Sequence, residues 1–193
     1  DFFGVREREI VFTKNCTEAI NLVAKGLPLD EDEIVLTTDI EHNSNHIPWL
    51  QLASGKGVRR RFARTSEEGV LDLEDLKEKM NREVELVSVI HTSNVTGTTM
   101  PVKAIVDIAQ DYGALVMVDG AQAAPHRKVD LGTLDVDFYA FSMHKMLGPS
   151  GVGVLYGKEE CLSDLEPLVS GGGTVSSTTY EGVSYLEPPE RFE

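Results

Sequence analysis

The most chemically suggestive feature of this sequence is a lysine between an apolar, strand-like run and a glycine-rich turn. In Phe141-Ser142-Met143-His144-Lys145-Met146-Leu147-Gly148-Pro149-Ser150-Gly151-Val152-Gly153-Val154, the amine of Lys145 has the donors Ser142 and His144 close by. Lysine is seldom buried without purpose. An amine depressed in pKa by its surroundings can form a Schiff base with a carbonyl and then carry a proton. A lysine taken alone is more often an exposed loop residue, so the flanking residues give this one its weight. The second group is Asp119, directly after Leu115-Val116-Met117-Val118 and inside Val118-Asp119-Gly120-Ala121-Gln122. A carboxylate there can be buried only if a cation or donors satisfy it. A protonated pyridine nitrogen would do so, and so would a magnesium ion; an aspartate after a strand is weak evidence by itself.

These groups need a scaffold, and β-branched runs alternating with amphipathic segments predict an α/β fold, a mostly parallel central sheet flanked by helices. Strands are predicted at 10–12, 33–37, 58–62, 85–90, 114–118, 138–141 and 152–156. The run Glu85-Leu86-Val87-Ser88-Val89-Ile90 is apolar enough to be covered on both faces. Helices are predicted at 17–25, closed by Gly26, in part of 43–53 despite Pro48, and at 73–80 with Asp72 as cap. Another has Pro101 in its first turn, a buried face of Val102, Ile105, Val106, Ala109 and Tyr112, and Gly113 as its end. From Cys161 onward the pattern dissolves into Gly, Ser, Thr and Pro, which predicts a connection or arm and not core. The expected division is a core over 1–165 and an arm over 166–193. Ligands of an open parallel sheet lie beyond the strand ends, where these polar residues cluster.

Composition narrows the classes. The chain has 193 residues, 41% of them hydrophobic, which suits one soluble globular domain. A net charge of −14, from 32 acidic and 18 basic side chains, repels nucleic acid and anionic membranes. Arg59-Arg60-Arg61 lacks the interleaved aromatics of a single-strand platform and is expected on a solvated strand or turn. No apolar run approaches a membrane span, and the start has no signal-peptide pattern. Two cysteines, Cys16 and Cys161, imply no disulfide framework and fit a reducing cytosol. No GxGxxG follows the first strand, and Gly148 to Gly153 lacks the Walker order, so nucleotide binding is a weak reading. His42 and His46 stand four apart, but no third ligand is evident, and no metal site is expected.

The residues in this order resemble the class V branch of the fold-type-I pyridoxal 5′-phosphate enzymes, most closely cysteine desulfurases and selenocysteine lyases. The resemblance runs from Thr13-Lys14-Asn15-Cys16-Thr17-Glu18-Ala19-Ile20-Asn21 to Pro188-Pro189-Glu190-Arg191-Phe192-Glu193. It implies that Lys145 is the Schiff-base lysine and that Asp119 pairs with the pyridine nitrogen. It implies that Gln122 bonds the phenolic oxygen, and that Asn94, in Ser93-Asn94-Val95-Thr96-Gly97, orients cofactor and substrate. His42, in Glu41-His42-Asn43-Ser44-Asn45-His46-Ile47-Pro48-Trp49, would stack on the ring. Thr17, Ser142 and His144 would hold the phosphate, Thr17 at a helix start that favours an anion. Cys16 belongs with this group, although the family more often has Thr there. A thiol at a helix start can look reactive, yet a small buried side chain is the expectation. Met143 stands where relatives often have Gly, which alters the approach to His144.

The resemblance also implies a homodimer, with Gly171-Gly172-Gly173 near the partner's cofactor phosphate, a cysteine or selenocysteine substrate, and a protein that accepts the sulfur. The N-terminal segment, the small C-terminal domain, the carboxylate-binding arginine and the sulfur-receiving cysteine are expected to be absent from this chain. Three other readings stay open: another class V activity (aminotransferase, kynureninase or epimerase), selenocysteine in place of cysteine, or a non-catalytic scaffold that keeps the fold.

Overall fold

The fold, taken from a computed structural model that describes residues 2–193, is a seven-stranded sheet between two helical layers. The strands are β1 (Ile10–Thr13), β2 (Ile34–Thr38), β3 (Arg59–Ala63), β4 (Val84–Ile90), β5 (Leu115–Asp119), β6 (Phe138–Ser142) and β7 (Gly153–Gly157). Their order is β1-β7-β6-β5-β4-β2-β3. Strands β2 to β6 are mutually parallel, and β7 is antiparallel to both β6 and β1. Only β7 is therefore reversed within this sheet, because a hairpin and not a crossover joins it to β6. The mostly parallel sheet expected from the sequence is present.

Alternation along the strands decides which side chains meet which layer. Val116, Val118, Tyr139 and Phe141 pack on one face, with α3 (Leu73–Lys79), α4 (Val102–Gln110) and α5 (Leu131–Leu134). Met117, Phe138 and Ala140 pack on the other, with α1 (Cys16–Gly26), α2 (Asn43–Lys56) and α6 (Glu159–Ser163). The same parity turns Asp119 and Ser142, the last residues of β5 and β6, toward α1. Trp49 is fully buried from α2 into that second layer.

The helix ends follow their caps. Asn15 accepts from the Glu18 N–H at 2.9 Å, and Asp72 accepts from Glu74 and Asp75. Pro101 sits just before the first residue of α4 and not inside it, and Tyr112 lies beyond the last, 39% exposed, so the predicted apolar face runs one residue too far. Gly113 ends that turn with φ +80°. Gly26 does not stop α1 by a left-handed turn; it is the last helical residue, and a Cβ there would lie 2.6 Å from the Glu166 carbonyl. Helix α2 runs through Pro48 to Lys56, longer than predicted. Order also continues past Cys161: Cys161, Leu162 and Leu165 are buried in the second layer, and β8 (Val175–Thr178) pairs with β9 (Val183–Tyr185). Arg59, Arg60 and Arg61 lie on β3 at the sheet edge, where Arg59 meets Glu83 at 2.9 Å. No helix among the described residues is long and apolar enough to cross a membrane.

One close approach ties this frame to the strand ends. The first residue of β7, Gly153, pairs with both Thr13 and Ser142, and a Cβ there would lie 2.4 Å from the Asn15 backbone. Neither backbone can yield cheaply. Gly153→Ala is expected to lower stability by roughly 1–3 kcal/mol, the usual range for overpacking. A lower urea midpoint measures this loss, and an unchanged midpoint would show that α1 can shift.

Candidate active site

At the carboxyl ends of β4, β5 and β6, beside the starts of α1 and α2, lies a cavity of about 280 Å³. All nine residues singled out from the sequence line it: Cys16, Thr17, His42, Asn94, Asp119, Gln122, Ser142, His144 and Lys145. Its floor is buried and its rim is open. Asp119, Ser142 and Cys16 are each no more than 4% exposed, whereas Thr17, His42, Asn94, His144 and Lys145 are exposed.

Asp119 is the centre of the floor. Its Oδ1 accepts from the Ala121 N–H at 3.0 Å and from the Cys16 thiol at 3.3 Å. Its Oδ2 has no hydrogen-bond partner among the described residues. Burial, with the charge of Asp119 adding to it, pushes the Cys16 thiol well above its ordinary pKa. The thiol is thus a neutral donor to a carboxylate and not a reactive thiolate, in keeping with the expected small buried side chain. The turn after Asp119 depends on Gly120, where a Cβ would lie 2.0 Å from the Tyr139 ring. The Tyr139 hydroxyl in turn meets His91 Nδ1 at 2.9 Å on the far side of the sheet. Burial lowers the pKa of His91 to about 4, so that ring is a neutral structural partner outside the cavity.

The start of α1 supplies a second feature. Of its first amides, Cys16 donates to Ser142 Oγ at 2.8 Å, Glu18 to the Asn15 side chain, and Ala19 to the Asn15 carbonyl. The Thr17 N–H has no partner among the described residues. An open amide beside a hydroxyl at a helix N-terminus is a suitable donor set for an anion. The Thr17 hydroxyl lies 2.8 Å from Ser44 Oγ, which lies 3.1 Å from His42 Nδ1. The Ser44 N–H donates to the same Nδ1 at 3.1 Å, so His42 caps α2 through this nitrogen and its proton sits on Nε2. Ser44 was not anticipated as a site residue; its place two residues after His42, at a helix start, was the available signal.

Lys145 lies on a 3₁₀ turn, Met143–Met146, within the β6–β7 hairpin. The hairpin is closed by Met143 N–H donating to the Val152 carbonyl at 3.0 Å and Gly148 N–H to the Met143 carbonyl at 2.8 Å. Leu147 ends the turn with φ +59°, a left-handed backbone that leucine rarely adopts. The expectation of a buried lysine needs correction. Lys145 is exposed and makes no ion pair among the described residues, because its turn projects beyond the sheet and leaves it at the rim of the cavity. Met143 packs partly against the core and against Gly148, whose Cβ would lie 2.9 Å from it. His46, four residues after His42, turns outward to Arg60 at 3.1 Å.

A flat heterocycle with a basic nitrogen, an aldehyde and a phosphate matches this donor set. The free Oδ2 of the buried Asp119 suits the protonated nitrogen, the unpaired Lys145 amine the aldehyde, and the open start of α1 the phosphate.

The chain matches the family described as Aminotransferase class-V over residues 1–193. It is 45% identical to a probable cysteine desulfurase from Halobacterium salinarum, covering 100% of this chain and 47% of that protein. Among solved structures, the apo cysteine desulfurase from Thermococcus onnurineus NA1 superposes with a TM-score of 0.94 at 44% identity, over 100% of this chain and 49% of that one. A C-DES variant with glycine covalently linked to its PLP cofactor superposes with a TM-score of 0.90 at 28% identity, over 100% of this chain and 52% of that one. The chain spans about half the length of the curated relatives it matches. A match from end to end, on a cavity built from the same residues the motifs contain, means that the chain belongs to the aminotransferase class-V family.

Proposed function

We propose that this chain is the pyridoxal 5′-phosphate-binding large domain of a cysteine desulfurase-type enzyme, which removes sulfur from L-cysteine and leaves L-alanine. The observation that carries this reading is a buried carboxylate, Asp119, with one oxygen unpaired in the same cavity as an unpaired amine, Lys145. The relatives' names supply the substrate: they are cysteine desulfurases. One solved neighbour is described as a complex with cysteine.

When bound, the cofactor supplies an electron sink for the charge that develops at the substrate α-carbon. The chain does the rest. Asp119 Oδ2 would accept a hydrogen bond from the ring nitrogen and so favour its protonated form. Thr17, Ser142 and His144 would hold the phosphate, and the Cys16 backbone N–H already orients the Ser142 oxygen. Gln122 would donate to the phenolic oxygen, Asn94 would orient cofactor and substrate, and His42 would cover the ring, all three lining the cavity. Lys145 Nζ, an amine in the same cavity as Asp119, would hold the cofactor's aldehyde carbon and would be the base for the substrate α-proton. The exposed position of Lys145 suits both roles, since an amine at the rim can be reached by a molecule entering the cavity.

The reaction also needs a thiolate to take the sulfur. Cys161, in α6 near the amino ends of β2, β4 and β5, is buried, which pushes its thiol up to about 12, and the Cys16 thiol is hydrogen-bonded to Asp119. We therefore assign the sulfur-receiving cysteine, and the arginine that binds the substrate carboxylate, to protein outside residues 1–193. Residues 1–165 are the cofactor-binding portion, and 166–193 are an arm. That arm is exposed around Gly171, Gly172 and Gly173, which is the surface we assign to a second copy in a homodimer, near its cofactor phosphate. Two free cysteines suit a cytoplasmic enzyme working with a sulfur-acceptor protein. Selenocysteine in place of cysteine, and another class V activity, would use the same Asp119 and Lys145.

Two experiments test this. Adding pyridoxal 5′-phosphate to the protein should produce an absorbance band that borohydride fixes onto Lys145, and Lys145→Ala should abolish it. Equal retention and an unchanged spectrum in Lys145→Ala would defeat the assignment. Asp119→Asn should weaken cofactor retention by roughly 10- to 100-fold, as expected for loss of one charge-assisted hydrogen bond. Equilibrium dialysis measures this, and undiminished retention would remove Asp119 from the site.

A further inference from the structure

The carboxyl end of β4 carries a polar side chain that the first cavity does not use. His91, the residue after the strand, is 7% exposed, and its backbone N–H donates to the Asp119 carbonyl at 2.8 Å. Its ring lies on the face of the sheet opposite α1, where Nδ1 meets the Tyr139 hydroxyl at 2.9 Å. Nε2 has no partner among the described residues, yet it is not sealed from solvent. His91 lines a second cavity there, of about 300 Å³, together with Arg127, Lys128, Asp130 and Thr133.

Tyr139 decides which ring nitrogen carries the proton. Burial first, and the charge of Arg127 second, lower the His91 pKa to about 4, so at neutral pH the ring holds a single proton. The Tyr139 hydroxyl is fully buried, and Nδ1 is its only partner among the described residues. A proton on Nδ1 would leave the hydroxyl proton without an acceptor, a costly state in a dry core. The hydroxyl therefore donates to Nδ1, and Nε2 bears the ring proton. A buried N–H donor thus faces the second cavity with no group of the chain to receive it.

The rest of the lining has matching polarity. Arg127 and Lys128 are exposed and make no ion pair among the described residues. Asp130 is the one acid on the lining; its Oδ1 accepts from the Thr133 N–H at 2.9 Å, and the bonds to Thr133, then the charge of Lys128, lower its pKa. Two cations against one carboxylate leave the lining positive, on a chain whose net charge is −14. A positive hollow around a free N–H donor, set in an acidic surface, concentrates anions and gives them a hydrogen bond.

We propose that this cavity binds a small oxyanion, a phosphoryl or carboxylate group that accepts from His91 Nε2 and pairs with Arg127 and Lys128. It lies across the sheet from the first cavity and stands independently of the cofactor reading.

The test reads the histidine ring nitrogens of the whole chain by ¹⁵N NMR at neutral pH. Before any addition the His91 ring should carry its proton on Nε2; the reverse tautomer would take the donor away and overturn the inference. Inorganic phosphate and acetate are then titrated separately, with chloride holding the ionic strength constant. Saturable movement of the Nε2 signal with either anion supports the site, and the tighter of the two identifies the group it takes. Replacing the two exposed cations together, Arg127→Gln with Lys128→Gln, leaves the core intact and should weaken this binding by roughly tenfold or more, the effect of losing a charge-assisted bond. No saturable movement with either anion, or an affinity unchanged in the double variant, overturns the inference. Phosphate that binds only at the start of α1 would move the Thr17 amide and leave the His91 ring signals in place, which overturns it as well.

Discussion

A carboxylate buried at the end of β5 is the constraint around which this molecule is arranged. Leaving such a charge without partners costs several kcal/mol, on the order of the stability of a small domain. Asp119 takes a backbone amide from its own turn and a thiol from α1, and offers its remaining oxygen to the cavity. Both donors demand close packing. The turn must fold over Tyr139, which only a glycine at 120 permits, and α1 must begin against β7, which only a glycine at 153 permits. The buried charge, the two glycines and the helix start are one interdependent unit. Its product is an acceptor, held in place by the core, facing a space that can admit a cationic ring nitrogen.

The site divides by burial into parts with different duties. The floor, Asp119, Ser142 and Cys16, is locked by hydrogen bonds between strand ends and α1. The rim, with Lys145, His144, Asn94 and His42, sits on turns that the sheet supports from below. A buried acceptor beneath and an exposed amine above divide the site into one group fixed by the core and one open to solvent. Glu41, directly before the rim residue His42, accepts from the Ile90 N–H at the end of β4 and so ties that part of the rim to the sheet.

Much of this was legible in the sequence, for reasons that vary by element. Apolar runs such as 85–90 and 115–118 identify strands covered on both faces, and the polar residue that ends each run marks the carboxyl edge of the sheet. Cap chemistry placed α1 and α3 to within a residue or two. Tyr112 was misread because helical spacing continues past a helix end that only Gly113 reveals. Helix α2 was underestimated because it buries Asn45 and Pro48 with Trp49, so its buried face is not an apolar stripe. The short helix at 159–163 was lost among polar neighbours, although Leu162 and Leu165 anchor it to the core. All nine residues singled out through motif order line one cavity, yet the exposure of Lys145 was not legible, because nothing local says how far a hairpin turn projects. The bonds of Glu41 were illegible for a different reason: they join residues 38, 45 and 90, and a carboxylate gives no local sign of which distant amide it will meet.

The parity of β5 and β6 has a consequence for how such a chain can change over generations. Asp119 pairs with Ala140 and Ser142 lies two residues farther along, so both face α1 only while each strand keeps its residue count. A single codon gained or lost inside either strand would rotate everything beyond it to the opposite layer. The same event at 149–151, beyond Lys145, would merely lengthen or shorten an exposed turn. Lineages of this fold are therefore free to change length in loop segments that carry no cavity residue, while the two strands beneath the cavity tolerate substitution but not insertion or deletion.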